Sequence, residues 1–312
     1  MSITIEEYGT EIINILEKKN PELEFNFNPS VRKNNNVILS GISIRRKDSN
    51  VAPMIYINDL YQREVDIEDA VNEVWNIYNN NNMHKFDFID KINDFDFVKN
   101  HLSICISNFE KNKEIADTCP YALFGDFIVY FIIVIDDKPE GRMTIKVHNE
   151  LMNSWGVNLS DIMEAAFDNI KRNPAQIIPI NVMIENILKM HNMSINDMYG
   201  IPELPVDQPM YVVTNNSKNN GCIYIAHKDT LLAISKQIGA NGFYIIPSSI
   251  HELIIVPFTK DDENKDLLLS MVKDVNIESV PESEFLSDNV YYFDANTEEL
   301  TDANDNKLIF LS

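Results

Sequence analysis

Four residues able to do acid–base or nucleophilic chemistry crowd one short stretch. Ser248, Ser249, His251 and Glu252 lie in Pro247-Ser248-Ser249-Ile250-His251-Glu252, between the apolar runs GFYII and LIIVPF. Two strands joined by this polar corner would bring hydroxyl, imidazole and carboxylate to a sheet end. In a hydrolase, His would take the Ser proton and Glu252 would orient the imidazole. The plainer account is a hydrogen-bonded turn, because side chains two or three positions apart rarely face one another and known triads join distant segments.

A second set is Asp126, an apolar strand, then Asp136-Asp137-Lys138. Carboxylates with a lysine suit a metal-dependent nuclease, the acids holding Mg²⁺ and the lysine steadying water or phosphate. The competing account is a hairpin turn at 136–141, with Asp126 flanking the strand's start. The six histidines, at 84, 101, 148, 191, 227 and 251, show no metal-ligand spacing. Neither a P-loop, GxGxxG, GxSxG nor HExxH is present (His251-Glu252 runs on as Leu-Ile-Ile), so no nucleotide or metal cofactor is expected. Cys105, Cys119 and Cys222 have no CxxC spacing. Cys105 and Cys222 read as core residues and Cys119, before Pro120, as the accessible one.

The elements that must position these residues follow from periodicity. Helical spacing of Ile5, Tyr8, Ile12, Ile15 and Leu16 predicts a helix over 3–19. Strands are expected at 23–29, 36–46 and 52–58, with a turn at Asn34-Asn35-Asn36, then a helix from Ile67 to Tyr78. The polar run 78–97 reads as a loop or short helix. Strands follow at 101–108, 126–136 and 141–149, and then helices at 150–155, 159–173 and about 180–190. Asn149 is a candidate cap for the first of these helices, and Asn158 or Ser160 for the second. Pro174, Pro179, Pro202, Pro205 and Pro209 mark a linker. Beyond it come strand 210–215, strand CIYIAH, helix TLLAISKQIG, the GFYII and LIIVPF pair, helix KDLLLSMVKDVN, strand VYYFD and a terminal hairpin.

The 312-residue chain is 45% hydrophobic, enough for a real core, and its length suggests about two domains. Its 26 basic and 48 acidic residues leave a net charge of −22. Nothing offsets phosphate repulsion overall, which argues against direct nucleic-acid or anionic-membrane binding. The load is uneven: net −10 over 1–172, −2 over 173–256 and −10 over 257–312. A solvated face explains that simply, and a surface for a basic partner explains it more sharply. The start has no secretory signal pattern, and the longest apolar run, residues 127–135, is too short to span a bilayer. A cytoplasmic, reduced protein is expected.

Several segments together carry a resemblance: GISIRR and APMIYINDLY within 41–61, NFEKNKEIADTCPYALFGDFIVYFIIVI at 108–135, MTIKVHNELMNSWGV at 143–157, and PMYVVTN through FLSDNVYYFD within 209–294. The chain resembles a family of uncharacterised proteins from gut clostridia and other Firmicutes, often found in mobile or prophage-like regions. The resemblance implies one complete intracellular chain without a known cofactor, and it carries no catalytic residues across. The C-terminal half is also distantly similar to a Bacillus-type family with a Pro-Ser-Arg-Asp corner at 247–252, which weakens a Ser–His mechanism.

The expected fold is α+β. A domain over 1–175 precedes a helix and Pro-rich linker at 176–209 and a second domain over 210–312. The leading functional expectation is a non-catalytic macromolecule-binding or modulatory protein with an acidic surface facing a basic protein partner. The alternatives are a hydrolase at Ser248, Ser249, His251 and Glu252, a nuclease at Asp126, Asp136 and Lys138, and a structural oligomer.

Overall fold

The helical spacing near the start is realised in the computed structural model, which describes residues 3–47, 49, 52–80, 88, 91–138, 141–190, 209–260 and 262–311. Helix α1 (Ile5–Lys19) is opened by a capping box, in which Thr4 accepts the Glu7 N–H and Glu7 accepts that of Thr4. Its buried stripe is Tyr8, Ile12, Ile13 and Leu16. Fully burying one such aliphatic chain is worth about 2 kcal/mol.

The chain folds as two units, Met1–Ile92 and Asn93–Ser312. In the first, α1 packs on the antiparallel strands β1 (Leu23–Arg32), β2 (Ile38–Arg46) and β3 (Met54–Tyr56). Ile42 and Ile44 face the core while Ser43 and Arg45 face outward, as their alternation predicts. Asn35 and Asn36 take positive φ in the turn between β1 and β2, a conformation asparagine tolerates. Helices α2 (Asn58–Gln62) and α3 (Ile67–Asn80) close this unit. Asp66 caps α3 through the Glu68 and Asp69 amides, and Ala70, Val71 and Val74 enter the α1 core.

The second unit holds two antiparallel sheets. In one, β4 (Leu102–Asn108) pairs along one edge of β6 (Phe127–Lys138), while β5 (Tyr121–Phe124) and β7 (Gly141–Lys146) pair with successive stretches of β6. Helices α4 (Phe95–Val98), α5 (Glu114–Thr118), α6 (Asn149–Trp155) and α7 (Leu159–Ile170) belong to this part, and α7 packs on β4. Asn158 and Asp161 form the capping box of α7, whereas the N-cap of α6 is His148 and not Asn149.

The other sheet has seven strands in the order β14 (Lys307–Leu308), β13 (Glu299–Thr301), β12 (Tyr291–Asp294), β10 (Gly242–Ser249), β11 (Glu252–Val256), β9 (Tyr211–Thr214) and β8 (Gln176–Pro179). Both faces are buried. Tyr244 and Ile246 pack with Leu268 and Val272 of α10 (Asp262–Ser279), while Phe243 and Phe293 stack from the other face. Helices α8 (Ile180–Met190) and α9 (Lys228–Ile238) complete the α+β fold.

Some elements differ from expectation. CIYIAH is not a strand: residues 221–226 form a 3₁₀ helix in which all six residues are buried. A run buried on every side carries no period by which strand and helix can be told apart. Strands β5 and β8, four residues each, have no counterpart among the expected elements. Cys119 is only 1% exposed, its sulfur beside Thr118 and His148, whereas Cys105 is half-buried. The span 176–209, expected as a helix and Pro-rich linker, carries that helix as α8 and adds the unexpected β8 before it, and its remainder at 191–208 lies outside the described residues. Among the described residues no helix is long and apolar enough to cross a membrane.

Candidate functional site

The corner at 247–252 is the tight connection between β10 and β11, with Ser249 paired opposite Glu252 and a register irregularity just before it. Ile250 and His251 form the turn. The backbone on this corner is held from three directions. The Gly221 N–H and the Thr214 hydroxyl both donate to the His251 carbonyl at 2.9 Å. The Ile250 N–H donates to the Glu284 carbonyl at 3.0 Å. Gly221 must be glycine, because a Cβ there would lie 2.4 Å from the His251 oxygen.

The structure brings Ser248, Ser249, His251 and Glu252 together, with their polar atoms aimed differently from a triad. Ser249 is buried, and its oxygen accepts the His251 backbone N–H at 3.0 Å. Ser248 donates to Glu252 Oε1 at 3.4 Å. The imidazole meets the 215–220 loop, where the Asn220 backbone N–H donates to His251 Nδ1 at 3.2 Å. A backbone amide can only donate, so Nδ1 carries the lone pair and the neutral ring holds its proton on Nε2. The nitrogen that would act as base is occupied by the main chain. Burial raises the Glu252 carboxyl above its ordinary range, with the Ser248 bond opposing and nearby Glu284 adding.

Asp126 precedes β6, and Asp136 and Asp137 end it. Ten residues of extended strand separate Asp126 from Asp136 by about 30 Å, so the nuclease set does not converge. The Lys138 side chain lies outside the described residues. Asp137 Oδ2 accepts the Ser217 hydroxyl at 2.9 Å. Among the described residues, no group of three or more His, Cys, Asp or Glu side chains is placed to hold a metal.

Asp126 has a different setting that the sequence did not reveal. Its carboxylate accepts hydroxyl hydrogen bonds from Ser287, at 2.5 Å, and from Tyr291. Both donors are fully buried. Burial raises the Asp126 carboxyl above its ordinary 3.8; the Ser287 bond opposes this, and Asp302 and Asp288 add to it. This is a polar tie between the β5–β6 turn and β12.

A concave feature that sequence reasoning missed lies between α7 and the start of α9, a groove of about 350 Å³ lined by Phe167, Lys171, His227, Lys228 and Asp229 among others. His227 stacks on Phe167, with ring centroids 6.0 Å apart and planes at 18°, and its Nδ1 lies 2.7 Å from the Thr230 hydroxyl. Burial lowers its pKa below 6.5, with Asp229 opposing and Lys171 adding. The only sequence signal was the His-x-x-Thr spacing at a helix start. Both lysines on the rim are already paired, Lys171 with Asp168 at 2.7 Å and Lys228 with Glu298 at 2.9 Å. The groove therefore offers a neutral imidazole among compensated charges, which suits packing better than turnover.

No curated protein and no solved structure matches the chain. One family model does, over residues 5–295, which covers most of each compact unit and the 247–252 corner. The chain belongs to the family of unknown function DUF5688.

Proposed function

We propose that the chain is a non-catalytic binding protein whose partner is a basic protein. The observation that carries this reading is the acid load of residues 257–312, 14 acidic against four basic. Glu263, Asp266, Asp274, Glu278, Glu282 and Asp288 are all exposed there. Three of the four lysines are engaged within the same segment, Lys260 and Lys265 by Asp305 and Lys307 by Glu299. The surplus negative charge therefore faces solvent, where it speeds encounter with a positive surface and repels phosphate. A Ser–His hydrolase is supported less well, since the His251 nitrogen it would need accepts a main-chain amide.

The test is capture from whole-cell lysate on the immobilised chain at about 50 mM salt, with elution by rising salt. An unrelated protein of matching net charge serves as control. The expected result is a discrete basic protein retained on this chain alone and released by about 0.5 M salt. Retention identical to the control overturns the reading.

A further inference from the structure

Helix α10 carries more apolar surface than its own sheet covers. Leu268 and Val272 are buried against Tyr244, Ile246 and Tyr292, with Leu269 packed beside them. Yet Leu267 is 41% exposed and Val275 53% exposed, and half-buried Met271 lies between them. Positions 267, 271 and 275 are spaced i, i+4 and i+8, so the three side chains form one stripe about 12 Å long. At 100° per residue, Asp274 and Glu278 fall along one border of that stripe, and Glu263, four residues before Leu267, closes its N-terminal end; all three are exposed. The two lysines whose side chains the helix projects, Lys265 and Lys273, fall on other arcs.

We infer that this stripe is the docking surface of the basic partner, and that the partner presents an amphipathic helix with an apolar face bordered by lysine or arginine. The inference rests on the reading of the chain as a binder of a basic protein and names its site. Charge selects the occupant. An apolar stripe fringed by three carboxylates, on a chain of net −22, repels a second copy of itself and attracts a cationic helix. Shape agrees, since i, i+4, i+8 anchors are those by which one helix lies along another.

The probe is a fluorescent amphipathic Leu/Lys helical peptide, titrated with the full chain at low and at physiological salt. Three sets of substitutions are compared. Leu267→Ser with Val275→Ser removes the apolar anchors and leaves charge unchanged. Glu263→Gln, Asp274→Asn and Glu278→Gln together neutralise the border. Asp117→Asn, Glu150→Gln and Glu164→Gln remove as many exposed charges elsewhere. The first two sets are expected to weaken binding about tenfold each, and the second also to flatten the salt dependence. The third set should change affinity less than about twofold. All substituted positions are at the surface, so folding is retained and is checked by circular dichroism.

Equal weakening by the second and third sets, or none by the first, overturns α10 as the docking surface. If lysate capture still retains a basic protein, the broader reading stands and only its location fails. A concentration-dependent dimer that the Leu267 and Val275 substitutions dissolve overturns the basic helix as occupant.

Discussion

The Asn220 main-chain amide donates to Nδ1 of His251 across 31 residues of sequence, and that bond makes Nδ1 the acceptor nitrogen of the ring. Asn220 sits at φ 58°, and its side-chain amide donates to the Ile104 carbonyl at 2.6 Å. The residue thus links β4, the 215–220 loop and the corner between β10 and β11. His251→Ala is expected to lower stability by about 1–2 kcal/mol, since a half-buried amide loses its acceptor. Urea unfolding measures this. Hydrolysis of a panel of activated esters should be the same for parent and variant; a parent-specific rate would contradict the structural role.

Gly221→Ala should be worse than any substitution of the corner's serines. The added Cβ would sit 2.4 Å from the His251 oxygen and 2.7 Å from Thr214 Oγ1, disturbing at once the two hydrogen bonds that the His251 carbonyl accepts, from the Gly221 amide and the Thr214 hydroxyl. A loss of about 3 kcal/mol is expected, against about 1 kcal/mol for Ser249→Ala. Comparable midpoints for the two variants would show that the corner relaxes easily.

Asp126 gives a pH signature of known sign. Its folded pKa is raised above 3.8, chiefly by burial, so the folded chain keeps a proton that the unfolded chain has released. Stability from this group is full below 3.8, declines as pH rises through the raised value, and is level above it. The stability of the parent relative to Asp126→Asn should follow that decline in denaturant titrations across the acid range. Asp126→Ala, which strands the buried Tyr291 and Ser287 hydroxyls, should cost about 3 kcal/mol at neutral pH.

His227 should act in the opposite direction. Burial lowers its folded pKa below 6.5, so the unfolded chain binds the proton first on acidification. Its contribution is full above 6.5 and is lost as pH falls through the lowered value. His227→Phe keeps a ring against Phe167 and removes the titration. The variant should therefore lose less stability than the parent between about pH 7 and pH 5, read as urea midpoints. Parallel losses would mean that His227 opens to water before it titrates.

Much of the architecture was legible because its residues repeat with a period. The helices at 5–19 and 67–80, and the Ile42/Ile44 alternation, follow from that alone. Elements without a period were not legible: GCIYIA is apolar throughout, and YALF is too short to alternate. The location of the polar corner could be read, and its chemistry could not. What fixes His251 comes from Thr214, Asn220 and Glu284, and what fixes Asp126 comes from Ser287 and Tyr291, 161 and 165 residues away. Composition did carry one hint. With 39 asparagines, the chain has many short amides able to bond its own backbone, as Asn20, Asn112, Asn169 and Asn220 do.

The seven-stranded sheet ends on one side at β14, two residues long with exposed Lys307, and on the other at β8, four residues closed by Pro179. An outer strand so short, bearing a charge or lacking an amide hydrogen, gives a neighbouring molecule little to zip onto. Both margins of the widest sheet in the chain are thereby poor templates for a strand added from another molecule.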